Sequence, residues 1–370
     1  MPIPFLDLKR QYAEVEAEIT AVSTRVLSGG SYILGPEVQY FEKEWANFCN
    51  VAGAAAVASG TDALTLALIA SGAVRKNRGD EVITSPLTSP YTALSIINAG
   101  GIPVFADIDP YTYTLNPEEI EKAITDRTRA IIPVHLYGRV AEMKSISEIA
   151  ARRHLFVIED AAHAHGARLE EKPVGAFAHA AAFSFYPTKN LGAYGDGGAV
   201  ISNDESLIEQ VKILRQGGHA PALAAGTEGR NSRLDEFQAA ILRVKLRRLE
   251  EWNRQRKRLA GMYTEGLRQA ANISIPLVGG PKSHVHHLYV IEHRERDLLR
   301  RFLLARGIET MVHYPFLLHR QPLFKRIAQI ALPVAERVVE NILSLPLYPQ
   351  LKDEEARAAI EAVLSYKSQT

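Results

Sequence analysis

Between residues 50 and 202, short apolar runs alternate with stretches whose apolar residues recur every three or four positions. The runs Ala54–Ala58, Glu81–Thr84, Pro103–Ala106, Ala130–Val134, Leu155–Glu159, Ala181–Phe185 and Gly198–Ser202 predict strands. The stretches Asp62–Ala70, Ala93–Ala99, Pro117–Ile124 and Glu142–His154 predict helices. Such alternation reads as βαβ units and a mostly parallel seven-stranded sheet with both faces covered. Ligands of such sheets gather at the carboxyl ends of the strands. Asp160 and the turn Ser59-Gly60-Thr61 both fall at such ends.

The pattern then changes. From Leu234 to about Leu267 it predicts one long charged helix, with Leu234, Phe237, Ile241, Val244, Leu246 and Leu249 close to helical spacing. A strand at His287–Ile291 and helices near Asp297–Arg306, Val334–Leu343 and Asp353–Ser365 follow. This predicts an α/β large domain over residues 1–245 and a small α+β C-terminal domain over residues 246–370. A chain of 370 residues is too long for one simple core, which agrees with two domains.

Composition narrows the function classes. With 46% hydrophobic and 23% charged residues, the chain reads as a soluble globular protein. A net charge of +1 gives no basic field for nucleic acid or an anionic membrane surface. No apolar run approaches the ~20 residues that span a bilayer. The first residues lack the parts of a signal peptide. Cys49 is the only cysteine, so no internal disulfide forms, and a reducing cytoplasm fits. It reads as a helix-packing residue rather than a nucleophile.

The candidate chemistry lies in two segments. Phe183-Ser184-Phe185-Tyr186-Pro187-Thr188-Lys189-Asn190-Leu191-Gly192 puts a lysine in a small-residue loop between two strand-like runs. Upstream, Leu155-Phe156-Val157-Ile158 ends in Glu159-Asp160. A strand-end aspartate and, after it, a loop lysine suit an enzyme using pyridoxal 5′-phosphate (PLP). The lysine forms a Schiff base, and the carboxylate keeps the pyridine nitrogen protonated so that the ring acts as an electron sink. Lys189 could instead hold a phosphate as a point charge. The Ser59-Gly60-Thr61 turn offers free amides and a close approach for a phosphate, though the same residues satisfy a helix N-cap. Ser184 could add a hydroxyl. The glycines of 192–198 lead into a strand and do not form a dinucleotide fingerprint. His163, His165 and His179 have no zinc spacing, and neither do His284, His286 and His287, so no metal site is expected. Gly229–Asp235 is a polar loop before the long helix, in which Ser232 could serve as a cap.

These segments resemble the sugar aminotransferases of the DegT family, which belong to the aspartate-aminotransferase-like, fold type I PLP enzymes. The resemblance starts at Phe5-Leu6-Asp7-Leu8 and Gly35-Pro36-Glu37-Val38. It continues through Ala58–Leu64, Ile158–Ala162, Phe183–Gly198 and Asn231–Ala240, and it closes at His313-Tyr314-Pro315 and Leu345-Pro346-Leu347. It implies that Lys189 is the cofactor lysine and proton shuttle, and that Asp160 pairs with the pyridine nitrogen. Gly60, Thr61 and Ser184 would bind the phosphate. Asn231 would reach the phosphate of the neighbouring subunit, so the resemblance implies a homodimer with shared active sites. His163 stands where relatives have Gln or His near the ring oxygen, and His313 and Tyr314 lie on the substrate side. Relatives carry a ring-stacking aromatic beside a threonine. Here Thr88-Ser89-Pro90-Tyr91 departs from that pattern, and Tyr91 is the candidate replacement.

The implied reaction moves an amino group from L-glutamate, leaving 2-oxoglutarate, to a nucleotide-linked keto-sugar. Segments 233–236, 242–246 and 287–291 look most like enzymes of dTDP-3-keto-6-deoxyhexoses. A 4-keto sugar nucleotide, a different amine or keto acid, and a non-catalytic regulatory protein of the family are the alternatives. PLP-dependent sugar dehydratases carry histidine where this chain has Lys189.

Overall fold

The computed structural model describes residues 2–218, 228–270, 272–276, 283–324 and 330–367. Three helices come first, α1 Leu8–Ala13, α2 Glu16–Gly29 and α3 Pro36–Cys49. The alternating part follows as β1 Gly53–Val57, α4 Gly60–Ala70, β2 Glu81–Thr84, α5 Pro90–Ala99, β3 Ile102–Phe105, α6 Pro117–Ala123, β4 Thr128–Ile132, α7 Met143–Arg153 and β5 Phe156–Asp160. A short hairpin, β6 Arg168–Leu169 and β7 Lys172–Pro173, precedes β8 Ala180–Ser184, β9 Gly198–Ser202 and α8 Glu205–Leu214. The chain ends through α9 Glu236–Leu246, α10 Leu249–Leu267, β10 Tyr289–Glu292, α11 Arg296–Ala305, α12 Pro333–Asn341, β11 Ile342–Leu345 and α13 Asp353–Ser365.

The main sheet has seven strands in the order β1-β9-β8-β5-β4-β2-β3. Only β9 runs against the others, pairing antiparallel with β1 and with β8. Successive residues of a strand point to opposite faces, and each face has its own core. Ala54, Ala56, Ile131, Val157, Ala181 and Ile201 pack with Phe41 and Trp45 of α3 and Ile146 of α7. Ala55, Val57, Ala130, Ile158, Ala182 and Val200 pack with α4, α5 and α8. Strands buried on both faces are mostly apolar, which is why they read as near-continuous runs.

The expected long helix is two helices. Arg247 and Arg248 form a turn between α9 and α10, and both pair with Glu18 of α2 at 2.8 Å. The bend lets Leu249 join the first core, while Leu259, Tyr263 and Leu267 join a third core built with α11, α13 and β10–β11. Neither proline nor glycine marks the bend, so periodicity runs through it. Ile3 also joins the third core and bridges to Ile308. The strand expected from His287 starts at Tyr289, because His286 takes a left-handed backbone with φ of 47°. The helix expected to run to Leu343 stops at Asn341, and Ile342–Leu345 pairs with β10.

Alternation along β5 separates its two acidic residues. Glu159 shares the face of Val157 and is fully buried. Its carboxylate accepts from His135 at 2.8 Å and from the amides of Gly175, Phe177 and Ala178 at 2.9, 3.1 and 3.1 Å. Removing it strands three backbone donors and a histidine. Glu159→Ala is expected to cost about 3–5 kcal/mol of unfolding free energy. The urea midpoint measures this, and a loss below about 1 kcal/mol would contradict this structural role.

Candidate active site

The carboxyl ends of β1, β5 and β8 meet at a cavity of about 600 Å³. A cavity of about 670 Å³ lies near Arg129 and His179, and its described lining includes neither a lysine nor a carboxylate. The first cavity has both, Lys189 and Asp160.

Asp160 closes β5 on the face opposite Glu159 and is 6% exposed. Its carboxylate accepts from Thr92 Oγ1 at 2.8 Å and from the Ala162 amide at 3.2 Å. Thr92 sits in the first turn of α5 and meets Thr88 Oγ1 at 3.2 Å. Burial pushes the Asp160 pKa up. The Thr92 hydroxyl, the Ala162 amide, Lys189 and His135 oppose that shift. Each oxygen accepts one bond, so each keeps room for a further donor.

Lys189 lies in the turn after β8, its amide bonded to the Tyr186 carbonyl at 2.9 Å. The loop then folds onto itself. A Cβ at Gly192 would sit 2.4 Å from the Pro187 carbonyl oxygen, so only glycine fits there. The buried Lys245 of α9 donates to the Gly192 carbonyl and ties the loop down. Burial brings the Lys189 amine down to about 8, with Asp160 pulling the other way.

Helix α4 opens at the cavity. Ser59 caps it by accepting from the Asp62 amide at 3.1 Å. The amides of Gly60 and Thr61 have no partner among the described residues. Cap and anion site are therefore compatible here. A Cβ at Gly60 would lie 2.6 Å from Ser184 Cβ, so the bare glycine lets the helix start sit against the end of β8.

His163 also lines the cavity. The Tyr137 amide donates to its Nδ1 at 3.3 Å, so the proton of the neutral ring is on Nε2, 3.4 Å from Tyr314 Oη. Burial and the nearby Lys189 hold this ring neutral. His313 meets Ser344 Oγ at 2.9 Å, and burial lowers its pKa to about 4. Burial raises the Tyr314 hydroxyl. Tyr91 reaches the cavity mouth from the first turn of α5 and is 61% exposed.

One expected residue lies apart. Asn231 is exposed in a neighbouring groove with Ile33 and Arg233, and the two sites share Asp196. Its neighbour Ser232 does not cap α9. Its hydroxyl accepts from the Ala58 amide at 3.2 Å and pins this loop to the end of β1. Sequence reasoning missed Thr92 and Tyr137, and it gave His287 no role in the site beyond a discounted metal ligand and a place in a family-like segment. No local pattern marks them, because distant elements bring them in. Among the described residues no three His, Cys, Asp or Glu are placed to hold a metal.

Fold and cavity together define a class, the fold type I enzymes that work with PLP. Residues 13–364 match the DegT/DnrJ/EryC1/StrS aminotransferase family. The pleiotropic regulatory protein of Geobacillus stearothermophilus is 44% identical, over 99% of each chain. The dTDP-3-amino-3,4,6-trideoxy-alpha-D-glucose transaminase of Streptomyces venezuelae is 45% identical, over 98% of this chain and 95% of its own. The crystal structure of S. venezuelae DesV in complex with a ketimine intermediate has a TM-score of 0.96 at 43% identity, covering 99% of this chain and 100% of that one. The chain belongs to the DegT/DnrJ/EryC1/StrS aminotransferase family, whose members are PLP-dependent.

A lysine attacks an aldehyde only as the neutral amine. With a pKa of about 8, Lys189 is mostly protonated below that pH and neutral above it. Covalent capture of PLP by the cofactor-free protein, trapped with borohydride, is expected to speed up about tenfold per pH unit below pH 7 and to level off above pH 8. A rise continuing to pH 10 would show an unperturbed lysine.

Proposed function

We propose that the protein transfers an amino group from L-glutamate to the keto carbon of a nucleotide-linked deoxysugar, a dTDP-3-keto-6-deoxyhexose. The observation that carries this reading is the meeting of Lys189 and Asp160 beside the start of α4 in one cavity. The 45% identical relative named for a dTDP-3-amino-sugar supports the acceptor.

The residues present fit PLP. The Gly60 cradle, its unpartnered amides and Ser184 suit a phosphate. The buried Asp160 has lone pairs left for a ring N–H. When bound, PLP supplies an electron sink for the amine-bearing carbon. Lys189 Nζ would hold the cofactor's aldehyde carbon. Once freed by substrate, it would take the proton from glutamate Cα, and a pKa of about 8 suits both directions of transfer. Asp160 would hold the positive ring nitrogen, and His163 Nε2–H would face the ring oxygen. Tyr91 would cover the ring from the cavity mouth. His313 and Tyr314 would face the acceptor.

A homodimer completes the reading. Asn231 lies outside its own cavity, and Tyr32, Ile33 and Tyr40 are 52%, 42% and 54% exposed. In a dimer Asn231 would serve the phosphate of the other subunit. No described helix is long and apolar enough to cross a membrane, and the protein would act in the cytoplasm.

Adding L-glutamate to the PLP-loaded protein is expected to shift its absorbance from the PLP form to the pyridoxamine form. A panel of 3-keto and 4-keto dTDP- and UDP-sugars should then show which acceptor restores the first spectrum. Lys189→Ala should lower turnover by at least about 10³-fold and still bind PLP. Full activity in that variant would sink the assignment. A non-catalytic regulatory role, the alternative in line with the name of the Geobacillus relative, would leave the spectrum unchanged on adding glutamate.

A further inference from the structure

A chain of polar groups leads from the interior to the cavity wall and fixes one histidine tautomer. The His165 carbonyl only accepts, so Asn253 must turn its Nδ2 to it, 2.8 Å away. Asn253 Oδ1 then faces Asn190 Nδ2 at 2.9 Å. The Val285 carbonyl, 3.3 Å from the same nitrogen, demands the same orientation of Asn190. That leaves Asn190 Oδ1 facing His287 Nδ1 at 3.1 Å. An oxygen that only accepts requires the proton on Nδ1. The other ring nitrogen, Nε2, is therefore a bare lone pair. It has no partner among the described residues, and His287 lines the cavity that holds Lys189 and Asp160.

The ring is also held in place and uncharged. The His163 ring lies 4.4 Å away at 34°. The buried Arg256 guanidinium donates to His287's own carbonyl at 3.2 Å. Burial chiefly disfavours an imidazolium here, and the Lys189 and Arg256 cations add to it.

We propose that His287 is a specificity-determining residue, a fixed neutral acceptor that takes a hydroxyl of the sugar beside the keto carbon, with Asn190 as the positioning residue that sets its tautomer. This rests on the sugar acceptor proposed above. Hydroxyls such as those of Thr61, Thr88 and Ser184 can donate or accept, so they discriminate weakly. A bare acceptor gains nothing from a deoxy carbon and repels a keto oxygen. It therefore selects the hydroxyl and orients the sugar ring.

The test is calorimetric binding of dTDP-3-aminosugars that lack one hydroxyl at a time, at C2 or C4, to the PLP-loaded protein. Wild type is expected to bind one of the deoxy ligands at least about tenfold more weakly. His287→Phe should bring that pair within about twofold, and His287→Gln, with one donor and one acceptor, should keep part of the difference. Discrimination that persists in His287→Phe overturns the proposal. So does loss of bound PLP in both variants, which would make the ring a prop for the Lys189 loop. Failure of the aminotransferase reading is seen separately, as an unchanged wild-type spectrum on adding glutamate without sugar.

Discussion

A carboxylate at the buried end of a strand is stable only where donors and positive charge meet it. Asp160 is such a group, and the cavity is arranged around it. Alternation along β5 sends Glu159 into one core and Asp160 toward the face of α4 and α5. The first turn of α5 brings the Thr92 hydroxyl, the chain after β5 folds back its own amide, and the loop after β8 brings Lys189. These contacts oppose the burial without cancelling it, since the carboxyl remains shifted upward. A protonated ring nitrogen is the partner that would finish the balance.

The same buried surroundings act on the amine and the histidines of the cavity. They lower Lys189 to about 8 and keep His163, His287 and His313 neutral. Neutral histidines discriminate by where the proton sits. His163 takes a bond from the Tyr137 amide at Nδ1 and presents an N–H. His287 gives its Nδ1 proton to Asn190 and presents a lone pair. Two neighbouring, tilted rings thus offer opposite hydrogen-bonding groups, each set by backbone or amide groups outside the cavity.

The parallel sheet was legible because strands buried on both faces are mostly apolar, and only their ends shifted by a residue or two. Lys189, Asp160 and the Ser59–Thr61 turn were legible because each sits at or just beyond the carboxyl end of a strand, where such sheets gather their ligands. The bend at Arg247–Arg248 was hidden, since arginine continues a helix and the partner that both arginines meet, Glu18, is distant in the chain. Thr92, Tyr137 and His287 were hidden for a related reason. An ordinary threonine, tyrosine or histidine gains a role only when distant elements pack. Asn231 was legible as a polar loop residue, but its groove beside Asp196 became visible only with the fold.

The central claim is that Asp160 keeps the cofactor's ring nitrogen protonated. Nitrogen-15 NMR of the protein loaded with ring-labelled PLP tests it directly. A pyridinium signal in wild type that becomes a neutral pyridine signal in Asp160→Asn is the expected result. A neutral ring in wild type, or an unchanged pyridinium in the variant, would contradict the account.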